Sequence, residues 1–98
     1  MAHRIEWNKR AISDLREINF YYIQNDAHQA AISFNQKVRD AIVKLADNRK
    51  VGRKEPNAKT ILFILVGKYH RLYYRKIGTT LRIVCFFDTR QDPAKRPF

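Results

Sequence analysis

The residues best suited to chemistry lie in one short segment, from Lys68 to Lys76, in which tyrosine alternates with arginine. Successive side chains of an extended strand point to opposite faces of a sheet. One face therefore carries Tyr69, Arg71, Tyr73 and Arg75, and the other carries His70, Leu72 and Tyr74. Because Leu72 is the evident core residue, the tyrosine–arginine face is predicted to meet solvent, where it suits base stacking and phosphate contact. The alternative is a face whose tyrosines pack across strands and whose arginines are only solvated.

A second concentration of positive charge lies at residues 49–54. This segment follows a predicted helix and contains Arg49, Lys50, Arg53 and Lys54. Loops on a rigid scaffold often carry function, so these side chains, together with Lys68, are candidates for contact with an anionic partner. The alternative is a helix C-terminus, whose dipole favours positive charge, followed by a solvated loop.

Metal and thiol chemistry find little support in the sequence. The histidines His3, His28 and His70 are dispersed, and no HxxxH or CxxC spacing is present, so neither a metal site nor a cofactor is predicted. Cys85 lies between Val84 and Phe86 in an apolar run and is predicted to be a core residue rather than a nucleophile. A single cysteine forms no internal disulfide, in agreement with a reducing compartment.

The segment from Asp88 to Pro93 closes the last predicted strand. The Asp88 side chain is expected to form a turn by accepting hydrogen bonds from backbone N–H groups two residues on. Arg90 is expected to pair with Asp88 or Asp92, or to reach a ligand. A structural corner is the favoured interpretation of this segment.

The first half of the chain must position these groups with a strand and two helices. Alternation of Ile5 and Trp7 with charged residues predicts a short half-buried strand. Apolar residues at helical spacing predict helices over 9–24, with Asn8 as N-cap, and over 27–47, with a capping box from Asp26 to Gln29. Two amphipathic helices joined by so short a connection pack as an antiparallel hairpin.

The second half is predicted to form a loop followed by three strands. Residues 48–59 are predicted to be a loop in which Gly52 takes a positive φ. Strands are expected over 60–66, 69–77 and 81–87, with a hairpin turn at Gly78–Thr79 and an irregular tail. The order β-α-α-β-β-β predicts an α+β fold over residues 1–98, a single domain in which a two-helix hairpin covers one face of an antiparallel sheet.

Charge is distributed unevenly along the chain. The net charge is +11; residues 1–48 hold 7 basic and 6 acidic side chains, whereas residues 49–98 hold 13 basic and 3 acidic ones. Such asymmetry attracts nucleic acid, the ribosome or an acidic protein segment. The chain lacks an apolar run of the roughly 20 residues that a membrane helix needs, and it begins without a signal-peptide pattern. A soluble cytoplasmic protein with no membrane partner is expected.

These residues also resemble the RelE/ParE superfamily, the toxins of bacterial type II toxin–antitoxin pairs. The resemblance covers nearly the whole chain and depends on the joint order of its segments rather than on one specific motif. The matching segments are Glu6–Trp7 with Ala11, Asp14–Leu15, Ile18 and Tyr21–Ile23, then Ala30–Ala31, Phe34, Ala41–Ile42 and Leu45, then Gly52–Arg53, Tyr69–Tyr73, and Leu81–Phe87 with the closing Asp88–Pro93.

The resemblance implies a RelE-like fold and a toxin that inhibits growth until an antitoxin silences it. RelE-like members cut mRNA on the ribosome with basic residues that activate the ribose 2′-hydroxyl, whereas ParE-like members poison DNA gyrase. In this chain His70 stands where the nucleases usually carry arginine, and Phe98 ends a chain that in many of them has a tyrosine near its end. The first-helix pattern and the closing segment look more like the ParE branch.

Two activities and a binding role therefore remain open. The first is gyrase binding without chemistry. The second is a metal-independent endoribonuclease that uses His70 as general base, with Arg71, Arg53 and Arg90 to stabilise the phosphorane. The third is a basic module that kept the fold without the toxicity.

The partner that the charge favours is an antitoxin with an acidic, initially disordered segment that folds on binding. It is expected to form a hetero-oligomer with the toxin and to cover the loop at 49–54 and the exposed sheet face.

Overall fold

The computed structural model describes residues 3–47 and 52–98. Its first half contains two antiparallel helices, α1 (Lys9–Gln24) and α2 (His28–Ala46), close to the predicted bounds. Asn19 and Asn35 exchange side-chain hydrogen bonds of 3.0 and 2.8 Å across the hairpin. This reciprocal pair fixes the register of the two helices.

One predicted helix cap is confirmed in position and the other is wrong. Asn8 is the N-cap residue of α1 in extended conformation, although its side chain makes no capping hydrogen bond, whereas Ala27, not Asp26, is the N-cap residue of α2. Asp26 instead has a φ of 54°, which lets the Ala27 N–H bond the carbonyl of Tyr22 at 2.8 Å. This hydrogen bond at the C-terminal end of α1 thus sets the conformation of the residues that connect the two helices.

The sheet has five strands: β1 (Arg4–Trp7), β2 (Arg53–Glu55), β3 (Ala58–Val66), β4 (His70–Ile77) and β5 (Thr80–Asp88). Their spatial order is β1-β5-β4-β3-β2. Strands β3, β4 and β5 form the predicted antiparallel meander. Two details are corrected: β2 lies within the predicted loop, and β1 pairs with β5 in parallel, so that the sheet is mixed. The predicted α+β architecture, with a helical hairpin on one face, is confirmed.

Both faces of the sheet are apolar, and each has its own core. The helix-side core joins the helices to the sheet through buried residues that include Phe34, Val38, Leu45, Leu72, Tyr74 and Phe86. The opposite face, called the second face below, buries Ile61, Phe63, Tyr73, Cys85 and Phe87. Phe98, from the tail, packs against this second cluster. The tail is irregular apart from one 3₁₀ turn, Pro93–Lys95.

Gly52 allows a close approach between the chain and the helix-side core. A Cβ built at this position would collide with the hydroxyl of Tyr74, a side chain that is 2% exposed. Within residues 3–47 and 52–98 the glycines with positive φ are Gly67 and Gly78, so the positive φ predicted for Gly52 is not found. Gly78 makes the predicted turn between β4 and β5. Gly52 therefore serves packing.

Candidate functional site

One candidate cluster forms at the corner where β4 begins and β5 ends. His70 and Asp88 are paired in register, and Thr89 donates to the carbonyl of Tyr69 from its backbone N–H at 2.6 Å and its hydroxyl at 2.8 Å. Beyond this point Arg90 turns back. Its Nε and Nη2 donate to the two oxygens of Asp88 at 3.1 and 2.8 Å, and its backbone N–H donates at 2.9 Å. The structural corner expected from the sequence is present.

The corner also holds the Arg90 guanidinium against an aromatic ring. Its central carbon lies 4.3 Å from the ring centroid of Tyr69. The hydrogen bonds from Arg90 are the main reason why the pKa of Asp88 lies below its ordinary value, so this carboxylate stays ionised. The corner is therefore a preformed, charge-balanced element rather than a free cationic site.

His70 is enclosed at this corner. Its side chain is buried. The imidazole and the Phe34 ring pack edge to face with their centroids 4.8 Å apart, and Nε2 lies 3.9 Å from Asp88 Oδ2. Burial lowers the pKa of His70, the Asp88 charge opposes that effect, and Arg90 adds to it. The imidazole is thus kept neutral, which is the protonation state of a base, but it is packed as a core residue.

A cleft of about 530 Å³ separates α1 from the corner. Its rim is mixed in charge and includes Arg10, Asp14, Glu17, Arg90 and Lys95. Asp14 positions α1 here, because its Oδ2 accepts a hydrogen bond of 3.0 Å from the backbone N–H of Phe86 on β5. The cleft is wide enough for a peptide or a small ligand, and its charges are nearly balanced.

A second candidate cluster surrounds Arg71 on the second face. Arg71 Nη1 lies 3.6 Å from Glu55 Oε2 and donates to the Tyr73 hydroxyl at 3.3 Å. The guanidinium carbon also lies 4.2 Å from the centroid of the Phe63 ring. Glu55 is only 3% exposed, so this ion pair is enclosed on one side. A carboxylate next to a guanidinium can accept a proton and neutralise an anion.

The structure does not bring the four candidate catalytic residues together. His70 contacts Phe34 on the helix side with Arg90 nearby, whereas Arg71 lies on the second face. Arg53 is exposed on the edge strand β2, in register with Phe63, so it shares the second face with Arg71 and not the helix side with His70. The separation follows from strand geometry, since neighbouring residues of β4 point to opposite faces.

Among the candidate binding residues, Tyr73 corrects the sequence prediction. Tyr73 does share its face with Arg71, but it is fully buried and its ring lies 5.1 Å from that of Phe98. The exposure predicted for it is wrong because the second face has its own core and is covered by the tail.

The other candidate binding residues lie at separate places on the surface. Lys54, Lys68 and Tyr69 are exposed, and Arg75 is half-buried on the second face. Arg49 and Lys50 lie outside the described residues. Tyr69 belongs to the corner cluster, and Lys68 precedes it in the turn between β3 and β4, whereas Lys54 lies on the edge strand β2 and Arg75 on the second face.

Two acidic residues with clear roles were missed in the sequence. Asp14 holds α1 against β5, and Glu55 pairs with Arg71. The only signal for Glu55 was its position as a lone acid in a strongly basic stretch, directly before Pro56. Nothing in the local pattern indicated that β2 would place it beside β4.

The His, Cys, Asp and Glu side chains of the described residues are the remaining candidates for metal ligands or nucleophiles. No group of three or more His, Cys, Asp or Glu side chains there could hold a metal ion. Cys85 is fully buried, as predicted, and burial raises the pKa of its thiol to about 11. Within residues 3–47 and 52–98, none of the helices combines the length and the apolarity needed to cross a membrane.

Solved structures show where this fold occurs. A chain of the chromosomal ParDE TA system from P. aeruginosa superposes with a TM-score of 0.74 at 17% identity, covering 89% of this chain and 96% of that chain. The E. coli DinJ-YafQ toxin-antitoxin complex gives 0.64 at 13% identity, with 92% and 96% covered. The YoeB dimer from Staphylococcus aureus gives 0.62 at 19%, with 87% and 94% covered. At such identities the likeness concerns the fold.

Sequence comparison identifies the family. No curated protein matches the chain. The model of the family described as "ParE toxin of type II toxin-antitoxin system, parDE" matches residues 5–93, from β1 to the first residue of the 3₁₀ turn. Since this match includes both helices, all five strands and both clusters, the chain belongs to the ParE toxin family of type II toxin–antitoxin systems.

Proposed function

We propose that this protein acts as a toxin by binding DNA gyrase, without chemistry of its own. The observation that carries the proposal is the match of residues 5–93 to the ParE family model. The geometry agrees, because His70 lies on the helix side of the sheet, away from Arg71 and Arg53 on the second face, and is packed as a core residue. A binding toxin needs a rigid surface rather than an assembled acid–base set.

A RelE-like, ribosome-dependent mRNA endoribonuclease is the second candidate. It is favoured by one observation, the pairing of Glu55 with Arg71 beside the Tyr73 hydroxyl. In such a mechanism Glu55 would accept the proton of the 2′-hydroxyl and Arg71 would stabilise the phosphorane. Against it, the carboxylate is almost completely buried and Arg71 is already engaged by three neighbours.

Induced expression in bacteria separates the two mechanisms. We expect growth arrest with induction of an SOS reporter, while primer extension shows intact mRNA. Purified protein should also inhibit supercoiling of plasmid DNA by gyrase. Cleavage within translated codons, with no SOS response, would refute gyrase binding. Normal growth with folded protein present would favour the non-toxic binding module.

Substitutions at the two clusters sharpen this test. The double variant Arg71→Ala, His70→Ala and the single variant Glu55→Gln should remain toxic if gyrase binding is the mechanism, provided that circular dichroism shows them folded. Arg39→Gln, on the exposed surface of α2, is the matched control. Loss of toxicity in Glu55→Gln alone, with its fold intact, would point to the nuclease.

We further infer that an antitoxin with an acidic, initially disordered segment silences this toxin in the cytoplasm. The support is the family's pairing in parDE and the net charge of +11. A disordered acidic segment gains long-range attraction to such a surface and orders on it.

A further inference from the structure

Two arginines of the second face are compensated by acids of the same chain. Arg71 lies 3.6 Å from Glu55, and Arg82 lies 3.3 Å from Glu6. Arg75, two residues beyond Tyr73 on β4, forms no salt bridge within residues 3–47 and 52–98. Its Nε is buried and has no hydrogen-bond partner there. This half-buried guanidinium is therefore left without an anion among the described residues.

The register of the sheet shows why this is unusual. Glu6 pairs with Arg82 across β1 and β5, and Arg82 pairs with Arg75 across β5 and β4, so the three residues form one row. Like charges directly opposite each other on neighbouring strands are destabilising. The single carboxylate of Glu6 is in contact with Arg82. The row therefore holds two arginines and one carboxylate, and no second acidic group in it balances Arg75.

The surroundings of Arg75 favour one carboxylate over a run of phosphates. Apolar side chains of this face, including Ile61, Tyr73 and Cys85, are buried. Ile77, two residues beyond Arg75 on the same face of β4, is apolar and 44% exposed. Because Glu6 pairs with Arg82 and Glu55 pairs with Arg71, Arg75 offers one cation beside two ion pairs, which suits a single carboxylate better than a run of phosphates. An acidic residue flanked by apolar residues would meet both the free cation and the apolar surface.

We propose that Arg75, with Arg82 beside it, binds a carboxylate in an apolar-flanked segment of the antitoxin. That the segment belongs to an antitoxin rests on the proposed function, whereas the binding site itself is inferred from the row of Glu6, Arg82 and Arg75. The acid would complete the row in trans, and the half-buried guanidinium would bind it with little loss of side-chain freedom.

A titration with small probes tests the site directly. The probes are a blocked tripeptide with glutamate between two leucines, the same tripeptide with glutamine, and an oligothymidylate. The readout is the NMR signal of the Arg75 Nε–H group, assigned by its absence in Arg75→Gln. We expect the glutamate peptide to shift this signal, and to bind about tenfold more weakly to Arg75→Gln than to the unchanged protein.

Controls decide what any binding means. Arg39→Gln removes one charge from α2, so it should retain the affinity if binding is local. Equal shifts from the glutamine peptide, or equal weakening in Arg39→Gln, would overturn the proposal. If the oligothymidylate shifted the Arg75 signal more than the glutamate peptide did, the ligand of this site would be a nucleic-acid backbone and the carboxylate proposal would be refuted.

Stability and toxicity separate this site from a packing role and from the proposed function. Arg75→Gln should keep or raise the melting temperature at low salt, because it removes an uncompensated charge opposite Arg82; a large fall would assign Arg75 to packing instead. If the unchanged protein fails to inhibit gyrase but binds the peptide, the proposed function fails while the site stands.

Discussion

At the scale of single residues, His70 shows how position outweighs residue type. Histidine between a tyrosine and an arginine suggested a general base, but its strand neighbours determine its face, and Phe34 and Asp88 enclose it. Burial lowers its pKa, so the unfolded chain binds a proton more readily than the folded one. The charged form therefore favours unfolding.

The consequence is a pH-dependent stability. The free energy of unfolding should fall as pH decreases below about 6.5, the ordinary histidine pKa, and this loss should level off below the folded pKa of His70. One proton limits the slope to about 1.4 kcal/mol per pH unit. Urea midpoints between about pH 5 and 8 measure it. His70→Leu should flatten the slope; His28→Gln, which removes an exposed imidazole, should not. Identical slopes in all three proteins would contradict the assignment.

At the scale of elements, the approach of Gly52 to Tyr74 connects the start of β2 to the helix-side core. Gly52→Ala would place a methyl group against the Tyr74 hydroxyl and should destabilise the protein by about 1–3 kcal/mol, measured by urea unfolding. Tyr74→Phe removes that hydroxyl, so the double variant should lose less than the sum of the two single losses. Strict additivity would show that the two positions do not interact.

Helices and strands differed in how well the sequence predicted them. The bounds of α1 and α2 were predicted closely, since their apolar stripes repeat over several turns. The strand β2 was missed because Arg53, Lys54 and Glu55 carry no apolar signal and pair only through the tertiary fold. Parallel pairing of β1 with β5 likewise leaves no local trace.

The candidate site was predicted only in part, because sequence patterns report local structure and not contacts between distant parts of the chain. Alternation correctly assigned Arg71 and Tyr73 to one face, and the turn chemistry of Asp88 with Arg90 is local in sequence. Burial of Tyr73 depends on Phe98 from the tail, and the partner of Arg71 is Glu55 on another strand. Such contacts join distant parts of the chain, and no local pattern encodes them.

At the scale of the whole molecule, the acidic residues of the second half are too few to neutralise its basic residues. Glu55 pairs with Arg71, Asp88 pairs with Arg90, and Asp92 accepts a hydrogen bond from the backbone N–H of Ala94. These are all the acidic residues of positions 49–98, against 13 basic ones. The excess charge therefore acts at long range on whatever approaches the protein.

This charge should be visible in the kinetics of antitoxin binding. We expect the association rate constant to fall about tenfold between roughly 50 and 500 mM salt, while the dissociation rate changes less, because screening weakens steering more than close contacts. Stopped-flow fluorescence measures both rates. Lys59→Gln and Lys76→Gln should each slow association slightly, and Glu17→Gln, which raises the net charge, should speed it. An association rate independent of salt would mean that the excess charge does not steer the partner, and affinity would then depend on the apolar surfaces alone.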